Sequence, residues 1–407
     1  MNFSKLSALL FLIIFYLLPV PFACAFDQTA APGQTGSGIQ SGSGNTADGG
    51  QQEPALNLRE VENYIDRVDT DIKSAVPGLS FKEMFFKIIR GDVSWKPAAV
   101  FNSLLTCLFK EVVANTSLLG KLIVLTMICA VLHNLTSAFD RGTTGQLSYL
   151  VVYLALSTIA IGSFALAINT GRELIDRMVS FMQAIMPLLL TLLVAMGGVA
   201  SAAIFHPVIL ISLTVIGTLT KNIVLPLIFF SAVLGIVDNL STNFKVSRLA
   251  GLLKTVAMGL LGIFSTIFLG ILAIQGVAGA VGDGVTLRTA KFAIDAFIPV
   301  VGGMFSDALE SVVSSSLLIK NAAGIAGMIS IFLIMGLPML KIISLSFIYK
   351  LAGALVQPVA EGQVVDCLNE MGSSLLLVFA AVGLVGLLFF FSITILIGVG
   401  NMTVMLR

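Results

Sequence analysis

The chain has 407 residues, of which 57% are hydrophobic and 11% charged, with a formal net charge of +1. A soluble domain carries about 25% charged residues, so an ordinary globular core is excluded. Near-neutral charge with scattered Lys and Arg excludes a nucleic-acid footprint, and two His and four Cys leave little for metal or nucleophile chemistry.

Residues 1–25 read as a secretory signal peptide. Lys5 supplies the positive start, Leu6–Val20 the apolar run and Ala23-Cys24-Ala25 a small-residue cleavage site. Residues 26–54 are rich in Gly, Ser and Gln and bury too little surface to offset their ordering entropy, which makes them a flexible tether. Residues 55–117 are expected to be an exported amphipathic helical region. Val61, Tyr64, Ile65, Val68 and Ile72 keep the helical i, i+3, i+4, i+7 spacing, and Pro77-Gly78 ends it. Ser80 and Glu83 then form a capping-box pair. The short helix they open sets Phe81, Phe85, Ile88 and Ile89 against Lys82, Lys87 and Arg90. It suits either the headgroup region or packing against its neighbours.

Residues 118–407 form the transmembrane body. From 178 to 220 the chain runs 43 residues without Asp, Glu, Lys or Arg, and further gaps cover 122–139, 142–171, 222–237, 255–282, 321–340 and 371–406. One spanning helix needs roughly 20 apolar residues. The fold class is therefore an all-α polytopic membrane protein, with eight to ten membrane segments expected after the signal peptide. The expected segments lie at about 118–138, 147–169, 181–203, 206–220, 223–240, 255–281, 317–340, 342–360 and 374–400, with a helix break at His206-Pro207. The loop 241–254, with Lys245, Arg248 and Lys254 and no acid, is expected on the cytoplasmic side. The region before 118 is expected on the other.

The body admits a parallel internal repeat, about 171–281 and 283–400. Pro187 and Pro299, and likewise Pro226 and Pro338, stand at one common offset. Small-residue pairs such as Ala323/Gly327 and Gly276/Ala280 have the spacing that lets membrane helices approach closely. Such pairs serve packing or homo-oligomer formation alike.

The anomaly is the stretch 295–310. Asp295, Asp307 and Glu310 flank an apolar run of 11 residues that contains Pro299 and Gly302-Gly303. Ionisable groups at membrane depth usually face a bundle interior or a water-filled cavity, and a broken helix there needs protein or water as partner. Asp295, Gly302, Gly303, Asp307 and Glu310 are thus candidate path-lining residues. The alternative is an interfacial helix whose acids sit among headgroups. Lys350 either snorkels or pairs with Glu361. His133 and His206 have no acid, Cys or second His at ligand spacing. Cys107, Cys129 and Cys367, with no CxxC spacing, read as small apolar residues in or beside helices. No catalytic, cofactor-binding or metal-binding motif is found, so the chain is expected not to be an enzyme and to need no cofactor.

The runs IPVVGGMFSDALESVVSSSLLIKNAAGIAG (298–327), GLPMLKI (336–342), LAGALVQP (351–358) and ITILIGVGNMTVMLR (393–407) resemble the stage III sporulation protein AE family, best over about 170–407. The polar patch SDALESVVSSS inside an apolar body makes the match fairly specific. The resemblance implies a multi-pass component of the mother-cell membrane surrounding the forespore. It implies work with sibling membrane proteins of the stage III sporulation complex, including a secretion-type ATPase and ring-forming proteins. Together these would form a channel- or secretion-like complex that sustains forespore development. The family brings no catalytic residues to carry over. A free-standing secondary transporter or permease using intramembrane carboxylates is the alternative reading.

Overall fold

The computed structural model describes residues 66, 69–70, 80–90, 97–138, 143–240, 245–297, 302–359 and 362–405, without the side chains of 293–310 and a few others. Among the described residues every regular element is helical. Three helices, α1 (Phe81–Ile89), α2 (Pro97–Ala114) and α3 (Thr116–Ala138), precede the body. The body comprises α4 (Thr143–Ala195), α5 (Val199–Leu219), a π turn (Thr220–Val224), α6 (Leu225–Leu240), α7 (Ser247–Phe297), α8 (Gly302–Val356) and α9 (Gln363–Met405). The signal-peptide and tether expectations lie outside the described residues, as does most of the helix expected at 61–72.

Five helical runs are long and apolar enough to cross a membrane: Leu147–Ala195, Val199–Asn239, Ser247–Thr286, Ser311–Val356 and Gln363–Met402. A sixth exists if the α2–α3 pair, bent by 54°, forms one broken span. The all-α polytopic class stands. The expected count of eight to ten segments is not confirmed: among the described residues neighbouring expected segments lie within single long helices. Arg172, Glu173, Asp176, Arg177, Lys221 and Lys341 separate the apolar runs in sequence. Arg, Lys and Glu are nevertheless good helix formers, and Pro338, three residues before Lys341, is accommodated inside α8. The chain therefore stays helical through each charged site, at Lys221 by way of the π turn.

The actual break in the 178–220 run is at Met196–Gly198, not at His206-Pro207, which lies inside α5. Gly197 has φ +88°, a conformation that costs any residue with a Cβ. A Cβ on Gly198 would meet Leu193 at 2.7 Å. This Gly-Gly pair therefore makes the hairpin between α4 and α5. The π turn also has a local cause. Pro226 has no N–H to give to the carbonyl of residue 222, and its ring crowds that carbonyl. The preceding Leu225 N–H reaches back five residues to Thr220 O instead, which is the π bond.

The long helix α9 is central and packs on α4, α6, α7 and α8. Leu375, Val378, Ala381, Val382, Val385, Leu388 and Phe389 are all fully buried, a spacing of three and four that turns one wide stripe inward. Glycines admit the closest approaches: Gly324 lies against Ile397 and Ile393, Gly327 against Ile185, and Gly276 against Ile395 and Val399. The small-residue spacing expected to aid packing does so here within one chain. Ser80 caps α1 by accepting from Glu83 N–H at 3.3 Å. Phe81 and Phe85 are buried where α1 packs on α8, so that helix takes the packed alternative rather than the headgroup one.

Candidate functional site

Polar groups inside this apolar bundle collect at three levels along its length. The first is a belt where α4 meets the π turn. Lys221 Nζ donates to both carboxylate oxygens of Asp176, at 2.8 and 2.6 Å. Glu173 and Arg177 stand beside it at i, i+4. The belt faces outward, with side chains 71% exposed at Glu173, 56% at Asp176, 46% at Arg177 and 35% at Lys221. Behind it Arg172 Nε and Thr220 Oγ1 are buried without a hydrogen-bond partner.

The second level is the hairpin end. Asp283 of α7 is buried and accepts from Ala200 N–H at 3.0 Å and from Ser201 N–H at 3.2 Å. These are orphan donors of the first turn of α5, and the position before that helix is Gly198, which has no capping side chain. A carboxylate from a distant helix thus does the work of an N-cap. Asp238 does the same for α7, accepting from Val246 and Ser247 N–H at 2.6 and 2.8 Å.

Lys320 lies at the same end. It has no exposed surface, and a Cβ on Gly400 would collide with its Nζ. Its ammonium has three donors, yet the hydrogen bond it makes is a long one, 3.4 Å to Ile397 O. Among the described residues no carboxylate pairs with it. Ser316, one turn earlier on the same face, has a buried hydroxyl without a partner. The buried Asn321 and Asn401 carbonyl oxygens, next to Lys320 and Gly400 in sequence, also lack partners. An unpaired ammonium costs several kcal/mol to bury, so the bundle holds a poorly satisfied polar interior here. Such an interior can hold water or an anionic group.

The third level is toward the other end. Tyr153 OH donates to Ile236 O at 2.9 Å, Ser163 and Tyr349 hydroxyls bond to each other, and Ser346 Oγ donates to Gly372 O at 2.7 Å. Each polar group is paired across helices, which reads as packing. The free thiols Cys129 and Cys367 are buried nearby. Cys107, expected to be a plain apolar residue, is disulfide-bonded; its partner lies outside the described residues. Among the described residues no group of three or more His, Cys, Asp or Glu could hold a metal ion.

Of the expected path-lining residues, Asp295 falls in the last turns of α7, and Gly302, Gly303, Asp307 and Glu310 in the first turns of α8. Their side chains, and the connection 298–301, lie outside the described residues. Both helices reach them by continuing past the hairpin end, α7 beyond Asp283 and α8 before Lys320. Sequence reasoning passed over Lys320, Asp283 and the Asp176–Lys221 pair. The signal available for Lys320 was a single Lys preceding 20 charge-free residues. For Asp283 there was none, because a cap supplied from 82 residues away leaves no local pattern.

The sequence profile of a family described as stage III sporulation protein AE matches residues 79–400. The stage III sporulation protein AE of Bacillus subtilis (strain 168) is 46% identical over 353 residues, which cover 87% of this chain and 88% of that protein. No solved structure matches.

Proposed function

The chain belongs to the stage III sporulation protein AE family, and from that membership we propose that it is a non-enzymatic membrane component of a channel- or secretion-like complex joining mother cell and forespore. On this reading it sits in the mother-cell membrane around the forespore. It works with other membrane proteins of the stage III complex, including a secretion-type ATPase and ring-forming proteins. Its role in sporulation and its multi-pass body are premises; the complex, its site and its partners are the proposal.

The observation that carries the reading is Lys320, an ammonium held inside the membrane body without a carboxylate among the described residues. A group that costs stability is retained where its polarity is used. Its end of the bundle is also the end toward which α7 and α8 bring Asp295, Asp307 and Glu310. Charges of both signs there would line an aqueous path.

The test replaces the gene in the spore-forming host and follows engulfed forespores by microscopy. Deletion is expected to let engulfment finish and then leave forespores that shrink. Complementation with Lys320→Met is expected to fail in the same way although the protein accumulates and unfolds no earlier than wild type. Normal spores from Lys320→Met would remove the ammonium from the mechanism, and normal spores from the deletion would remove the complex. The transporter alternative would draw its cargo-binding carboxylates from Asp295, Asp307 and Glu310, whose side chains lie outside the described residues. Uptake of a solute by liposomes holding this chain alone would support it.

A further inference from the structure

A charge taken out of water is kept where it is paired and hydrogen-bonded, and Lys320 lacks the pairing. It has no exposed surface, and its hydrogen bond is the long one to Ile397 O at 3.4 Å. The described carboxylates of the body are committed elsewhere: Asp283 to the first turn of α5, Asp176 to Lys221, Asp238 to the start of α7 and Glu370 to Lys254. Glu310 and Asp307 stand earlier on α8, about 15 and 20 Å along it, too far for their side chains to meet that of Lys320.

The groups around the ammonium are short of partners in the same way. Ser316, one turn earlier on the same face of α8, has no exposed surface, and its hydroxyl lacks a hydrogen-bond partner. The carbonyl oxygens of Asn321 and Asn401, in sequence next to Lys320 and Gly400, are buried and unpartnered as well. A hydroxyl rotates, and an amide turned over presents two N–H donors in place of its oxygen. Unused donors of the ammonium, one O–H and two amides thus stand within about one helical turn of Lys320. All of them suit a negative charge, and none of them brings one.

We propose that this end of the α8–α9 crossing binds one small inorganic anion, of the size of chloride, with Lys320 as its counter-charge and Ser316 as a donor. Water would satisfy the donors and leave the charge uncancelled. The size follows from the packing. A Cβ on Gly400 would collide with Lys320 Nζ, and one on Gly324, a turn after Lys320, would collide with Ile397. Helices this close leave no room for a large group. Because neither Lys320 nor Ser316 has exposed surface, a lipid phosphate or a peptide carboxylate, each carried on a larger body, does not reach them. A one-atom ion is admitted by the turning of an amide at Asn321 or Asn401, which are half-buried.

The inference rests on the reading of Lys320 as a group retained for its polarity, and it gives that polarity a ligand. Binding is measured on the isolated chain, so the two stand or fall apart. Failure to bind an anion would leave the sporulation result with Lys320→Met in place, and normal spores from that variant would leave the binding in place.

The test uses the full chain purified in detergent, at constant pH and ionic strength. Sodium gluconate, whose anion is too large for the site, is exchanged stepwise for sodium chloride while thermal unfolding is followed, and uptake of radioactive chloride is measured in parallel. The Tm of the wild type is expected to rise with chloride and to level off, as the filling of a single site requires. Bromide should act alike and sulfate should not. Lys320→Met is expected to lose both the rise and the uptake. Ser316→Ala, which keeps the charge, is expected to bind chloride roughly tenfold more weakly, the effect of one charge-assisted hydrogen bond. A wild type that melts alike in both salts and takes up no chloride would overturn the proposal, leaving an amine that is uncharged or held by water alone. A rise retained in Lys320→Met would place the ion elsewhere and overturn it as well. So would a phospholipid that mass spectrometry finds at one per chain in the wild type and missing from Lys320→Met, since the counter-charge would then be a lipid. If Lys320→Met does not accumulate, Ser316→Ala decides: chloride binding as tight as in the wild type would overturn the assignment.

Discussion

Replacing Asp283 by Ala isolates the cap that holds the hairpin end together. In the native chain this carboxylate accepts from Ala200 and Ser201 N–H and is itself buried. Removing it leaves two donors without a partner where the Gly198 position offers no side-chain substitute. An unsatisfied buried donor costs about 1–3 kcal/mol. Water entering at the helix end recovers part of that, so the expected loss is about 2–4 kcal/mol. For a chain of this size 1 kcal/mol moves the midpoint by roughly 2 °C, which makes the expected drop in Tm about 4–8 °C. Asp283→Asn keeps a carbonyl acceptor and loses chiefly the interaction of the charge with the helix dipole, about 0.5–1 kcal/mol, or roughly 1–2 °C. The assay is thermal unfolding of the detergent-solubilised protein, with all three chains in the same micelle. An Ala variant that melts within about 1 °C of wild type would refute the capping argument. An Asn variant as damaged as Ala would refute the assignment of the effect to the hydrogen bonds.

Two further outcomes test neighbouring parts of the architecture. A double-mutant cycle on Asp176→Asn and Lys221→Met should return a coupling of about 0.2–1 kcal/mol, the range of exposed ion pairs; a coupling above about 2 kcal/mol would mean that the pair is shielded from water and does not face outward. Gly197→Ala should cost about 1–2 kcal/mol, because φ +88° forces a Cβ toward the following carbonyl, with Gly197→Asn less damaging; an unchanged melting curve for the Ala variant would show that the turn relaxes into another geometry.

Composition and the spacing of charges were enough to show that the chain is a helical membrane protein, because a run of 43 residues without charge has no other stable place than a bilayer or a very large core. The capping of α1 by Ser80 was legible for a similar reason: the donor and acceptor are three residues apart, so the pattern is complete within one turn. The Gly197-Gly198 pair that makes the hairpin between α4 and α5 is present in the sequence, but the break was expected at His206-Pro207. Only packing decides that a Pro may stay inside a membrane helix, since neighbouring groups can satisfy the carbonyl it frees. The boundaries of the membrane segments differ from those expected for a related reason. Charged sites were taken as segment boundaries, whereas Glu173, Asp176 and Arg177 sit on the outer face of one continuous helix. A charge reveals that a level is wet without revealing whether the helix stops there. The pairing of Asp176 with Lys221, the use of Asp283 as a remote cap and the burial of Lys320 against Gly400 all join residues tens of positions apart. Such contacts exist once α9 has drawn the long helices into one bundle, and tertiary structure alone determines them.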